Sequence, residues 1–107
     1  MGKVKVIIKR PDEKYGHVCS ISTTLKNLQK TVGGYIEVVP LTDTDVLICN
    51  EEGKPLQLPI NFRLYGDTPY ADTVRGTVIV VGTEGDDFAD LKMGFATWKK
   101  LIDKWEG

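Results

Sequence analysis

Side chains able to do chemistry are scarce in this sequence. Its 107 residues hold one histidine (His17), two cysteines (Cys19 and Cys49) and three arginines (Arg10, Arg63 and Arg75). With a lone histidine and no Cys-x-x-Cys pair there is no zinc-type ligand set. The acidic stretch Glu84, Asp86, Asp87, Asp90 lacks the glycine and terminal glutamate of an EF-hand loop. Its carboxylates are better read as complementing the positive end of a following helix. Neither metal nor cofactor is therefore expected. No G-x-x-x-x-G-K-[ST] run occurs, Gly82-Thr83-Glu84-Gly85 does not complete a dinucleotide fingerprint, and there is no G-x-S-x-G elbow. A Cys–His nucleophile would have to pair His17 with Cys19 or Cys49, and no orienting partner accompanies either pair.

Charge of one sign is also missing. Fourteen basic residues against fifteen acidic ones give a net charge of −1, which argues against a basic DNA binder and against an acidic DNA mimic. So small a net charge does little to oppose self-association, and a homo-oligomer is compatible with it. The opening MGKVKVIIKR contains no apolar run of membrane-spanning length and no secretory h-region with a cleavage site, and Val6 stands where a myristoylation motif needs Ser or Thr. A cytoplasmic protein with no membrane partner is expected. Cys19 and Cys49 have no motif spacing and are read as two reduced cysteines packed as small hydrophobes.

What the chain does contain is a regular alternation of strand and helix signals. The length fits a single domain over residues 1–107. Residues 3–10 are rich in Val and Ile and end at Pro11-Asp12, and His17–Ile21 forms a second strand after a turn. Leu25, Leu28 and Val32 then recur at helical spacing, with Ser22 or Thr23 as the cap and Gly33-Gly34 as the stop. YIEVVPL and DVLICN read as strands three and four. LQLPI is a short or irregular strand whose Pro59 keeps it at an edge. Residues 61–73 form the main loop. GTVIVVGT, with its unbroken Val78-Ile79-Val80-Val81, is a central strand covered on both faces. TEGDDFADL connects it to a last helix in which Leu91, Phe95, Trp98, Ile102 and Trp105 make one apolar stripe, weakened by about 1 kcal/mol at Gly94. That stripe is read first as core and alternatively as a partner-binding face. The expected fold class is α+β: a mostly antiparallel β-sheet with one short helix and a C-terminal amphipathic helix.

A candidate site emerges by elimination. Arginine is the side chain best suited to bidentate contact with phosphate or carboxylate. Arg63 and Arg75 flank the long loop, where they would converge with Asn50, Lys54 and Asn61, while Tyr65 and Tyr70 would stack on a base or ribose. Gly33, Gly34 and Tyr35 form a second line of candidates, since a helix end followed by a tyrosine strand would border such a pocket. The competing reading is scaffold: Arg63 paired with an acidic neighbour and Asn61 capping a turn.

The blocks LKNLQKTVGGYIEVVPL, VLICNEEGKPLQLPINFRL and GTVIVVGTEGDDFADL resemble, in that order, a family of small proteins of unknown function found in phages, prophages and mobile elements of bacteria. The likeness runs from about Leu25 to Leu91, and Phe62 here separates an Asn and an Arg that the family places adjacent or nearly so. The resemblance transfers no catalytic residue. It implies an accessory, counter-defence gene product that binds and sequesters a nucleotide-derived immune signal, such as a cyclic nucleotide or an ADP-ribose derivative, in the host cytoplasm. Two alternatives stand beside it. One is a protein–protein inhibitor acting through a sheet edge or the aromatic helix. The other is an enzyme degrading such a signal, for which the sequence offers only His17 and scattered carboxylates.

Overall fold

In the computed structural model, residues 2–63 and 73–106 are described. The first strand, β1 (Val4–Lys9), pairs antiparallel with β2 (His17–Ile21) across a turn. Helix α1 (Leu25–Val32) follows, then β3 (Ile36–Pro40) and β4 (Asp45–Asn50). A coiled turn leads to a separate hairpin of β5 (Ile60–Arg63) and β6 (Thr73–Arg75). β7 (Val78–Glu84), β8 (Asp87–Ala89) and helix α2 (Phe95–Glu106) complete the order. The main sheet has six strands in the order β2-β1-β7-β4-β3, and β8 joins it through β7. All its pairings are antiparallel. The α+β class read from the sequence is what is found.

The unbroken apolar run of β7 lies between β1 and β4, and Val78, Ile79, Val80 and Val81 are all fully buried. Alternate residues of a strand point to opposite faces, so this one strand feeds two cores. Val6, Ile8, Ile48, Ile79 and Val81 pack under Leu28 and Val32 of α1. On the other face Ile7, Leu47, Val78 and Val80 pack with Trp98, Ile102 and Trp105 of α2 and with Phe62 and Val74 of the hairpin. Phe62 stacks on Trp105 with ring centroids 5.6 Å apart and meets Trp98 edge-on at 5.8 Å. The Trp98 indole N–H donates to the Tyr15 carbonyl at 2.8 Å, so its polar atom is satisfied inside the core. Trp98 and Trp105 are thus core residues, while Phe95 of the same stripe is only partly buried.

Several local expectations need correction. The cap of α1 is Thr24, whose hydroxyl accepts from Asn27 N, rather than Ser22 or Thr23. Gly33 ends the helix as expected, in the left-handed region at φ 84°. Residues 61–63 are not loop but β5, and 73–75 are β6; a bulge between Ile60 and Phe62 lets the short strand pair despite Pro59. TEGDDFADL is a hairpin, not a simple connection. β8 takes over along β7 where β1 leaves it, with Gly82 opposite Ala89 after Val81 opposite Val6. A Cβ at Gly82 would overlap the Asp90 carbonyl oxygen, so the chain passes too close there for any side chain. As a result Glu84, Asp86, Asp87 and Asp90 do not sit on the first turn of α2, which holds no acidic residue. Asp90 instead accepts from the Lys5 amide at 2.8 Å. Gly94 precedes α2, so it costs the helix nothing; its carbonyl accepts the Trp98 amide. Leu91 also lies before the helix but still packs in the same core.

Candidate functional site

β3 and β4 end beside the β5–β6 hairpin, and a cleft of about 240 Å³ opens between them. Its floor is the sheet face carrying Glu37, Val39 and Cys49, which share a face because they alternate or pair in register. Thr73, Val74 and Arg75 of β6 form one wall, and the turn after β4, with Glu51, Gly53 and Lys54, forms the rim. Lys54, Thr73 and Arg75 also face an adjoining, more open depression shared with Gln57.

The turn that presents Lys54 is held by its own backbone. Leu56, Gln57 and Leu58 amides donate to the carbonyls of Glu52, Lys54 and Gly53. The coil closes through Gln57, which has φ 52°, the left-handed value that ends helical turns. Arg75 is fixed by one guanidinium N–H to the Leu58 carbonyl at 3.1 Å. A guanidinium carries five donors in a fixed fork, so the rest of the group stays available to a ligand. Gly53 permits the close pass of the two segments, since a Cβ there would stand 3.2 Å from the Arg75 carbonyl oxygen.

Asn50 lines the cleft but is committed to scaffold. It donates to the Val32 carbonyl at 3.2 Å and accepts from the Glu52 amide at 2.7 Å, tying α1 to the turn. Asn61 is turned into the core at 5% exposure. It donates to the carbonyls of Lys9 and Gly76 and accepts from the buried Lys9 ammonium, which also stands 5.7 Å from the Phe62 ring centroid. Asn61 thus lies outside the cleft with its amide committed to scaffold, and the cap reading is replaced by a partner for a buried lysine. Arg63 is exposed on β5, opposite Thr73, and does not line the cleft. Gly33, Gly34 and Tyr35 border a different, shallow depression with Gln29, Asn50, Glu52 and Leu56. Tyr65 and Tyr70 lie outside the described residues. Of the sequence candidates, Asn50, Lys54 and Arg75 come together.

Glu37, Cys49 and Val39 were not anticipated. They are strand residues of ordinary type, and only the packing of β6 over the end of β3–β4 gives them a shared cleft. The Cys49 thiol donates weakly to Glu37 Oε1 at 3.8 Å. Burial first, and then the neighbouring Glu37 carboxylate, push the thiol pKa up to about 12. A thiol is nucleophilic only as thiolate, so Cys49 is inert at neutral pH. Cys19 lies on β2 with its side chain against the α1 core, whereas Cys49 belongs to the α2 core, so the sheet separates the two and both are free thiols. His17 sits on exposed β2, 3.3 Å from Glu13, remote from the cleft lining. No group of three or more metal-ligating side chains occurs among the described residues, and no described helix is long and apolar enough to cross a membrane.

A family described as a domain of unknown function (DUF3846) matches residues 4–105. No curated protein and no solved structure matches the chain.

Proposed function

We propose that this chain, which belongs to the DUF3846 family, is a non-enzymatic binding protein that holds a phosphate-bearing, nucleotide-derived ligand in the cleft between β3–β4 and β6. The observation that carries this reading is the convergence of Arg75 and Lys54 on one small cleft whose turn is already braced by backbone hydrogen bonds. A bidentate guanidinium and a point-charge ammonium together suit a phosphate group. Val39 and Val74 supply apolar wall for the rest of the ligand.

Holding is favoured over cleaving by the chemistry of the cleft. Its one thiol is kept protonated, and its two carboxylates, Glu37 and Glu51, have no histidine beside them in the lining to complete a general acid–base pair. At about 240 Å³ the cleft is smaller than the 300–1,000 Å³ usual for drug-sized ligands. One copy therefore accommodates one phosphate-bearing half of a larger signal, such as a cyclic dinucleotide or an ADP-ribose derivative, and a homo-oligomer would supply the second half-site. In the phage or mobile-element setting that the sequence resemblance implies, such a protein would act in counter-defence by removing an immune signal from the host cytoplasm.

The test is calorimetric titration of the purified chain with mononucleotides, cyclic dinucleotides and ADP-ribose derivatives, followed by denaturation and recovery of the ligand. Saturable binding with intact ligand recovered supports sequestration. Absence of binding by every phosphate-bearing compound, or recovery of cleaved ligand, overturns it.

A further inference from the structure

The cleft wall that carries Arg75 belongs to a unit the main sheet does not hold by strand pairing. β5 and β6 pair with each other, and among the described residues no ladder joins them to the six-stranded sheet. A two-stranded hairpin is marginal by itself, so its order depends on how it is docked. Phe62 and Val74 supply attraction through the α2 core. Apolar contact is non-directional, however, and leaves the angle of the hairpin open. That angle is decided at the joint where β6 passes into β7. Gly76 there takes φ 81° and donates its amide to the Pro59 carbonyl at 2.8 Å. Two residues further on, Val78 is paired with Lys9 of β1.

A buried polar cluster spans that joint. The Asn61 side-chain amide donates to the Lys9 carbonyl of the main sheet at 2.9 Å and to the Gly76 carbonyl of the joint at 2.8 Å. Its oxygen accepts from the Lys9 ammonium. Both donors and the acceptor of one asparagine are thus committed across the two units. Burying an ammonium is unfavourable unless it is hydrogen-bonded, yet Lys9 is only 1% exposed, in a place a methionine would fill. What the polar pair adds over an apolar one is direction. We infer that Lys9 and Asn61 are positioning residues of the cleft: they clasp the β5–β6 hairpin to β1 and so set where Arg75, the residue before Gly76, stands against β3–β4. Neither residue lines the cleft, so both act on a ligand only through the hairpin. The clasp is a property of the fold alone; its consequence for a ligand rests on the binding reading given above.

The experiment compares the full chain with Lys9→Met, with Asn61→Ala, and with Leu28→Ala, a truncation in the α1 core on the other face of the sheet. Lys9→Met removes the ammonium and leaves both Asn61 donations in place, so it is the milder variant; circular dichroism checks the fold of each. Native-state hydrogen exchange reads the Gly76 amide and the β5–β6 peptides against the peptides of β7. Exchange in the hairpin is expected to accelerate relative to β7 by roughly tenfold in Lys9→Met and by more in Asn61→Ala. Leu28→Ala should not accelerate the hairpin relative to β7. Calorimetric titration with AMP and with a cyclic dinucleotide should show binding about tenfold weaker in Lys9→Met than in the wild type, and unchanged in Leu28→Ala. Hairpin and β7 accelerating alike in Lys9→Met and Asn61→Ala, or neither accelerating, overturns the clasp whatever the titration shows. Faster hairpin exchange with unchanged affinity overturns the positioning role. Faster hairpin exchange in a chain whose wild type binds neither probe supports the clasp and overturns its consequence for a ligand.

Discussion

Asn50 and Asn61 show how residue type and residue role part company. Both were legible in the sequence as polar side chains expected to converge with Arg63 and Arg75, but the sequence does not say which way a side chain points. Asn61 alternates with Phe62 along β5; the bulge at Ile60–Phe62 breaks that alternation and lets both face inward, Phe62 to the tryptophans and Asn61 to Lys9. Asn61→Ala removes two donations to buried carbonyls and one acceptor for a buried ammonium, and should destabilise the fold by about 3 kcal/mol, read by denaturant unfolding. The thiols make a second case. With its pKa raised to about 12, Cys49 stays protonated across the neutral range and resists alkylation until the chain unfolds. Half-buried Cys19, whose pKa is also raised by burial but less strongly, should be alkylated first. Mass spectrometry after timed alkylation at neutral pH distinguishes the two sites. The sign is definite: a thiol whose folded pKa lies above its unfolded value favours the fold below the unfolded value, and that contribution is lost as pH rises above about 9.

At the scale of elements, periodicity was readable wherever it was set by burial, and unreadable wherever it was set by a neighbour distant in sequence. The valine run of β7 and the tryptophan stripe of α2 announce themselves because each faces a core along its whole length. β8 does not, since DFA is only three residues long and becomes a strand only by taking the place that β1 vacates beside β7. β6 was hidden for the same reason, and with it the wall of the cleft. The cap of α1 falls at Thr24 rather than at Ser22 or Thr23 because the three are chemically equivalent in sequence; only the geometry chooses Thr24. Thr24→Ala should therefore cost about 1 kcal/mol, while Thr23→Ala should cost a few tenths at most, both by thermal unfolding. The turn carrying Lys54 offers a gain instead. Gln57 holds a left-handed conformation that disfavours side chains, so Gln57→Gly should stabilise the chain by roughly 0.5–1 kcal/mol without moving the turn.

For the whole molecule, the two-sided sheet makes a rigid frame, and function is drawn to the place where the small hairpin meets the end of that frame. α1 anchors the far side through Asn50, so the cleft is braced from both faces of the sheet. The account stands on Lys54 and Arg75 acting together as an anion site. Lys54 is exposed and Arg75 half-buried, and Arg75→Ala gives up one hydrogen bond to Leu58, worth about 1 kcal/mol. The most direct measurement is calorimetric titration of a phosphate-bearing nucleotide into the wild type and into the Lys54→Ala/Arg75→Ala double variant. Saturable binding to the wild type that weakens by roughly tenfold or more in the folded double variant is the predicted result. Equal affinity in the two proteins would place the ligand elsewhere and contradict the account.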